Sequence, residues 1–337
     1  MAKTRQGIVA SYERYAEAAR QEFRRDLSRL PSSCSRVALE CHDDRLRRAR
    51  DTFSIGEMTP WMLADILAVE PGEITSVARG WLHLLLGILI LDDILDGRFP
   101  DDQERHYRTI VADLLTQKGV RLLSGAILPT REEDFDQGIA KAAEAAIFEI
   151  ERHRGIISPY DHLHLEQVGR KLAMIQTCAA AVLSISRMEV RWKDIETLID
   201  GIACAVQVLD DVTDLGEDWE AKNLTMPLTE AVRRGYLILE ETAKNPTEIL
   251  PPRELLARVV YSGALNETTS VALEALRVVE HELTRLGRTK SSIYHYFKRL
   301  RRGVHAVDAL ARSLRGDYDW NAIARLENRL RIFAQGS

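Results

Sequence analysis

The sequence predicts an all-α protein, a single large helical bundle around a central cavity. Three observations predict it. Apolar residues recur at helical spacing in almost every segment, while the alternation expected of strands is scarce. Residues 81–99 (WLHLLLGILILDDILDGRF) and 202–227 (IACAVQVLDDVTDLGEDWEAKNLTMP) each carry an apolar helical run into a doublet of aspartates. No low-complexity linker divides the 337 residues, and nothing repeats apart from that acidic motif. One domain over 1–337, with N-terminal helices in 1–50, is the economical arrangement.

Composition narrows the class. At 45% hydrophobic and 29% charged the chain is globular, and a net charge of −5 offers no electrostatic case for nucleic acid. Cys34, Cys41, Cys178 and Cys204 show no metal-ligand spacing and read as reduced thiols of a cytoplasmic protein. The first residues are charged and helical, unlike a signal peptide. The apolar stretch Leu84–Leu91 is far short of the ~18–20 residues a transmembrane segment needs, so a soluble protein is expected.

The elements follow in order. An amphipathic helix over 8–30 stops at Leu30-Pro31-Ser32-Ser33, and a strongly charged one over 36–52 carries Arg45, Arg47, Arg48 and Arg50 on a face read as solvated. Residues 60–69 begin with proline at a first helical position. A long helix over 74–96 ends at Gly97 and Pro100, which places the first aspartates in its last turns. Helical periods over 104–125 and 132–153 follow, then a helix capped near Ser158 and Asp161 that runs to about Ser186. The remainder reads as helices near 193–218, 227–243, 252–264, 266–287, 290–315 and 319–333.

The acidic clusters carry the chemistry. At ~100° per residue, Gln207, Asp210, Asp211, Asp214 and Asp218 fall on one helix face. Like charges at this spacing repel, so a cation is the expected compensation. Hard oxygen donors without Cys or His select Mg²⁺, Mn²⁺ or Ca²⁺. One such cluster is as easily a solvated helix end. The second, Asp92, Asp93 and Asp96, tips the balance toward a site. Apolar walls beneath two carboxylate clusters suit a ligand with a hydrocarbon tail and a polyanionic head.

Asp92-Asp93-Ile94-Leu95-Asp96, Gln207 with Asp210-Asp211-Val212-Thr213-Asp214, and Leu224-Thr225-Met226-Pro227-Leu228 together resemble the motifs of the trans-prenyl diphosphate synthases. The likeness covers roughly residues 50–230. It implies a class I isoprenoid synthase bundle, a prenyl diphosphate substrate, three Mg²⁺ ions for which Mn²⁺ can substitute, and a homodimer. It also implies Asp92, Asp96, Asp210 and Asp214 as metal ligands, with Asp93 and Asp211 completing the catalytic clusters. By the same resemblance Gln207 and Lys222 serve the diphosphate, Gly87 and Ile88 lie below it and limit tail length, and Gln176-Thr177 stand where the family has Lys-Thr. Phe99, Trp81, Phe148 and Trp219 are candidates to face a carbocation, and Arg98, Arg170, Lys171, Lys298, Arg301 and Arg302 to meet the diphosphate.

Departures from the pattern concern the second substrate of chain-elongating relatives. Gly56, Glu57 and Thr59 occupy the positions of a basic cluster before Pro60, and Asp101 and Asp102 those of two arginines. What remains suits one allylic diphosphate. The expectation is a Mg²⁺-dependent terpene synthase, a lyase that ionises a linear prenyl diphosphate and releases pyrophosphate with a hydrocarbon or alcohol. A prenyltransferase or elongating synthase is the alternative, and a non-catalytic prenyl synthase subunit the third reading.

Overall fold

The computed structural model describes residues 2–48, 55–95, 98–99, 101–153, 169–220, 223–238, 250–314 and 319–334. Among them the regular elements are all helical, with no strand. They are α1 (Ala2–Ser28), α2 (Ser32–Arg48), α3 (Ile55–Leu67), α4 (Thr75–Leu95), α5 (Asp102–Ser124), α6 (Glu132–His153), α7 (Ile175–Ile185), α8 (Trp192–Thr213), α9 (Leu215–Glu220), α10 (Met226–Arg233), α11 (Pro252–Tyr261), α12 (Ala264–Arg285), α13 (Ser292–Ser313) and α14 (Trp320–Ala334). Short 3₁₀ turns occupy Pro129–Arg131 and Gly169–Leu172.

Local chemistry sets several boundaries. Asp101 caps α5 by accepting from the Glu104 amide at 2.8 Å, with Asp102 and Glu104 favourably placed in the first turn and Arg121 in the last. Helix α3 starts five residues before the expected proline, so Pro60 lies inside it. Its missing N–H leaves the Gly56 carbonyl without the usual i+4 donor. Trp81 supplies one, its Nε1 donating to Gly56 O at 2.6 Å. The expected 193–218 helix breaks at Asp214, whose φ and ψ of −102° and 15° leave the helical region. Helix α10 ends at Arg233 rather than continuing to 243, with Gly235 at φ +74° turning the chain.

The main core draws on α1, α3, α4, α5, α7, α8, α12 and α13, with Phe23, Trp61, Trp81, Leu115, Ile195 and Phe297 buried in it. A second core gathers α10, α11 and α14 around Val212, Ala264, Leu265, Val307 and Ala311. Helices α8, α12 and α13 therefore run through both. A buried polar knot joins α12 to α13 where the cores meet. Asn266 Nδ2 donates to Asp308 Oδ1 at 2.9 Å, Thr269 Oγ1 donates to the same oxygen at 3.0 Å, and Arg312 Nε donates to Oδ2 at 2.9 Å.

Helices α4 and α5 approach so closely that glycine is required at the contact. A Cβ on Gly119 would fall 2.5 Å from Leu84 N, and one on Gly87 would fall 2.5 Å from Thr116 Oγ1 and 2.8 Å from Ala112 O. The helix-propensity cost of each glycine, about 1 kcal/mol, is offset by the dispersion contacts that the approach permits.

His83 sits inside this region, wholly buried, with its ring edge-on to Phe23 at 4.7 Å. Its Nδ1 is 2.8 Å from the Arg79 carbonyl, which can only accept, so the proton lies on Nδ1. Burial pushes the imidazole down to about 4 from 6.5, although Asp26 stands 3.6 Å from Nε2. Because the folded-state value is depressed, the stability it confers is complete above pH 6.5 and is lost as pH falls toward 4. The loss amounts to about 3 kcal/mol. Thermal melts from pH 7 downward are expected to show this decline, and His83→Leu to make it shallower than in the parent protein. An unchanged slope in that variant would assign the decline to other groups.

Candidate active site

The two acidic helices rise from one hydrophobic core. Ile88, Leu91 and Ile94 of α4 and Ile202, Val208 and Leu209 of α8 all belong to it, and α7 packs against both helices. Each helix then ends in its aspartate doublet, and in each doublet the two acids go to different places.

On α4, Asp92 is half-buried and Asp93 buried. Asp93 receives two guanidiniums. Arg45 Nη2 of α2 donates to its Oδ2 at 2.8 Å and also to the Leu89 carbonyl at 2.8 Å, and Arg98 Nη1 meets Oδ1 at 2.9 Å. Asp96 lies outside the described residues. On α8, Asp210 is exposed while Asp211 is only 2% exposed. Gln207 Nε2 donates to Asp211 Oδ1 at 2.7 Å, and the Met226 amide donates to Oδ2 at 3.4 Å. Gln207 thus holds an aspartate of its own helix, and Asp211 fastens the start of α10. Asp214 is exposed at the helix end, where Thr213 Oγ1 donates to it at 3.2 Å.

Asp218 follows on α9 and accepts from Asn223 Nδ2 at 2.9 Å. Burial, then the neighbouring charges of Asp211 and Asp214, push its carboxyl up to about 7, the Asn223 contact opposing them. The single acidic face expected from the sequence is therefore split: Asp210 and Asp214 are exposed, Asp211 faces inward, and Asp218 lies on a separate short helix. Lys222 lies outside the described residues, as do the side chains of Arg170 and Lys171.

Several expected site residues stand elsewhere. Gly87 does not border a tail pocket. It faces α5, where the Thr116 and Ala112 contacts leave no room for a side chain. Ile88 is half-buried against the main core. Gln176 is buried and donates to Asp200 Oδ1 at 2.9 Å. Asp200 lies ten residues before Asp210 on α8, about 15 Å along the axis, so the Gln176-Thr177 pair is well away from the acidic end. Thr177 Oγ1 donates locally to Met174 O at 2.7 Å. Phe99 is half-buried with the Arg108 guanidinium 4.0 Å over its ring. Trp81 is a core residue. Arg301 is taken by Glu280.

The positions that departed from the motif also have partners. Glu57 pairs with Arg20 of α1 at 3.0 Å, so its charge is compensated rather than bare. Asp101 caps α5 and Asp102 pairs with Arg105. The partners that sequence reasoning did not assign are Arg45 of α2, which pairs with Asp93, Arg20 of α1, which pairs with Glu57, and Arg108 of α5, which covers Phe99. Arg45 carried one faint signal, its place in an arginine run preceding the first motif.

With this geometry in hand, the fold has clear relatives among solved structures. A polyprenyl synthase from Roseobacter denitrificans superposes with a TM-score of 0.69 at 16% identity, over 90% of this chain and 99% of that one. The chain has the prenyl synthase fold. A geranylgeranyl pyrophosphate synthetase from the archaeon Geoglobus acetivorans gives 0.66 at 15% identity, covering 87% of this chain and 98% of that one. A polyprenyl synthase from Caulobacter crescentus, complexed with calcium and isoprenyl diphosphate, gives 0.66 at 15% identity over 88% and 97%. No protein-family model matches the sequence, and no curated protein matches it. Within the prenyl synthase fold, the acid doublets close two helices of the bundle, while Gly87 and Gln176 are structural.

Proposed function

We propose that the protein is an enzyme that binds and ionises an allylic prenyl diphosphate at the ends of α4 and α8. One observation carries this reading: on a prenyl synthase fold, two helices leave a common apolar core and each ends in an aspartate doublet, its first acid the more exposed and its second buried. Asp92, Asp96, Asp210 and Asp214 would hold Mg²⁺, whose hard-oxygen preference their carboxylates meet. Among the described residues no three His, Cys, Asp or Glu converge into a preformed cage. Mg²⁺ requires none, since it commonly keeps waters and takes one or two carboxylates beside substrate phosphates. Bound there it would neutralise the departing diphosphate. The chain's own residues do the rest. Asp93 and Asp211 fix the helix ends, and the apolar faces of α4 and α8 receive the hydrocarbon and exclude water.

Two fates of the ionised chain remain. The solved neighbours are named as synthases or transferases of prenyl chains, which favours prenyl transfer to a second diphosphate. Pairing with Arg20 also compensates the Glu57 charge, so that acid repels a second anion less than a bare carboxylate would. The one-substrate terpene synthase reading rests on a separate observation, the absence of any base at 56–60 and 101–102. Incubating the protein with Mg²⁺, labelled isopentenyl diphosphate and allylic diphosphates of increasing length decides between them. A longer labelled diphosphate supports transfer. Pyrophosphate release from the allylic substrate alone, with an unlabelled hydrocarbon or alcohol, supports the terpene synthase. Neither product under any condition refutes the shared reading.

A homodimer is part of the proposal. Helices α5 and α6 expose Tyr107, Ile110, Ile139 and Ile147 at 49%, 60%, 36% and 56%, apolar side chains that a second copy would cover. Ile110→Glu with Ile147→Glu should halve the sedimenting mass. A monomeric parent protein would reject the dimer outright.

A further inference from the structure

Helix α13 concentrates base on one side of an acidic protein. It carries Lys298, Arg299, Arg301, Arg302 and Arg312 and a single acid, Asp308, which is buried. Arg312 is spent on Asp308 and Arg301 on Glu280. The rest forms an outward row. His295, Lys298, Arg302 and His305 are exposed and Arg299 half-buried. At ~100° and ~1.5 Å per residue they occupy an arc of roughly 120° and a length of about 15 Å. Among the described residues no carboxylate pairs with Lys298, Arg299 or Arg302.

On α12, α14 and α3, which pack against α13, the acids with recorded partners are committed to other groups. On α12, Glu267 is taken by Arg234, Glu274 by Arg277, Glu280 by Arg301 and Glu282 by Arg285. On α14, Glu327 is taken by Arg253, and on α3, Asp65 accepts from the Ile293 amide that opens α13. Lys298 lies 5.6 Å over the Tyr294 ring, but among the described residues no carboxylate compensates the row, and like charges along one helix face repel one another. An external polyanion supplies the compensation.

We propose that the outer face of α13 docks the protein on an anionic lipid bilayer, through the phosphates of its headgroups. The choice of a lipid surface over other polyanions rests on the prenyl diphosphate reading, because prenyl chains partition into bilayers. Among the described residues no helix is long and apolar enough to cross a membrane, so such an attachment is peripheral and electrostatic. It is also reversible and sensitive to salt.

The full chain is mixed with vesicles of phosphatidylcholine alone and with vesicles containing roughly one-third phosphatidylglycerol, and bound protein is measured by flotation. Binding is expected on the anionic vesicles only, and high salt should release it. Lys298→Glu with Arg302→Glu should weaken it at least tenfold, about 1.4 kcal/mol, with the unfolding temperature unchanged. Arg36→Glu with Arg121→Glu, an equal change of net charge on α2 and α5, should leave binding in place. Equal loss in both double variants, equal binding to neutral vesicles, or no binding to either would overturn the proposal. So would retention of the parent protein on RNA in the absence of vesicle binding. Since flotation needs no turnover, a protein that floats but converts no prenyl diphosphate separates failure of the catalytic reading from failure of this one.

Discussion

Asp92→Asn and Asp210→Asn are each expected to lower turnover by about a thousandfold, while the unfolding temperature without metal holds or rises. The scale is that of removing one principal electrostatic contact from the charge that develops on the leaving group. Asp210 is exposed at the end of α8 and Asp92 half-exposed at the end of α4, so neither change opens the core. Each also removes a negative charge from a crowded cluster. The partner acids should behave in reverse. Asp93→Ala removes the carboxylate that Arg45 and Arg98 share, and Asp211→Ala removes the acceptor of Gln207 and the Met226 amide. Costs of about 1–3 kcal/mol in stability follow for each. Melting curves and a pyrophosphate-release assay on all four variants read the two effects separately. Full activity in Asp92→Asn and Asp210→Asn would remove both acids from the site.

The second large effect lies in the α4–α5 contact. Gly119→Val is expected to destabilise the protein by about 3 kcal/mol, because its Cβ would meet backbone at Leu84 that cannot rotate away. For a chain of this size that is a fall of roughly 4 °C in the melting temperature. Gly87→Phe should act in the same way, losing stability without a change in preferred prenyl length, since its side chain would enter α5. Gly216→Ala is the control. Nothing lies within 4 Å of its added Cβ, so it should be neutral or stabilising by up to about 1 kcal/mol. A stable Gly119→Val would mean that the two helices separate at little cost.

Helix content, most helix starts and the two aspartate doublets were legible in the sequence because they depend on local chemistry. Periodicity marks α4 and α8, and the cap at Asp101 acts over three residues. Partner choice was not legible, since it depends on which surfaces meet. Arg45 reaches Asp93 across 48 positions and Arg20 reaches Glu57 across 37, and nothing in the arginine run distinguishes Arg45 from its neighbours. Gly87 was misplaced for the same reason: the helix on which it sits was correct, but its facing direction was set by α5. Alignment by motif put Gln176 with the diphosphate, whereas Asp200 holds it two turns and more below. The break at Asp214 was hidden because the acidic pattern continues through it.

Adjacent residues on a helix diverge by ~100°, so a pair of identical neighbours straddles the boundary between the inner and outer surfaces. The Asp92-Asp93 and Asp210-Asp211 doublets use that divergence to give one letter two placements, an outer acid that is the more exposed and an inner acid that fastens the helix end. Exchanging the two members changes nothing in the spelling, yet their tolerance to replacement is unequal. Drift at the outward letter would leave a folded protein without activity, and drift at the inward letter an unstable one. Counting aspartates in such a motif therefore overstates the number free to serve as ligands, because one acid of each doublet is already committed to holding its helix end.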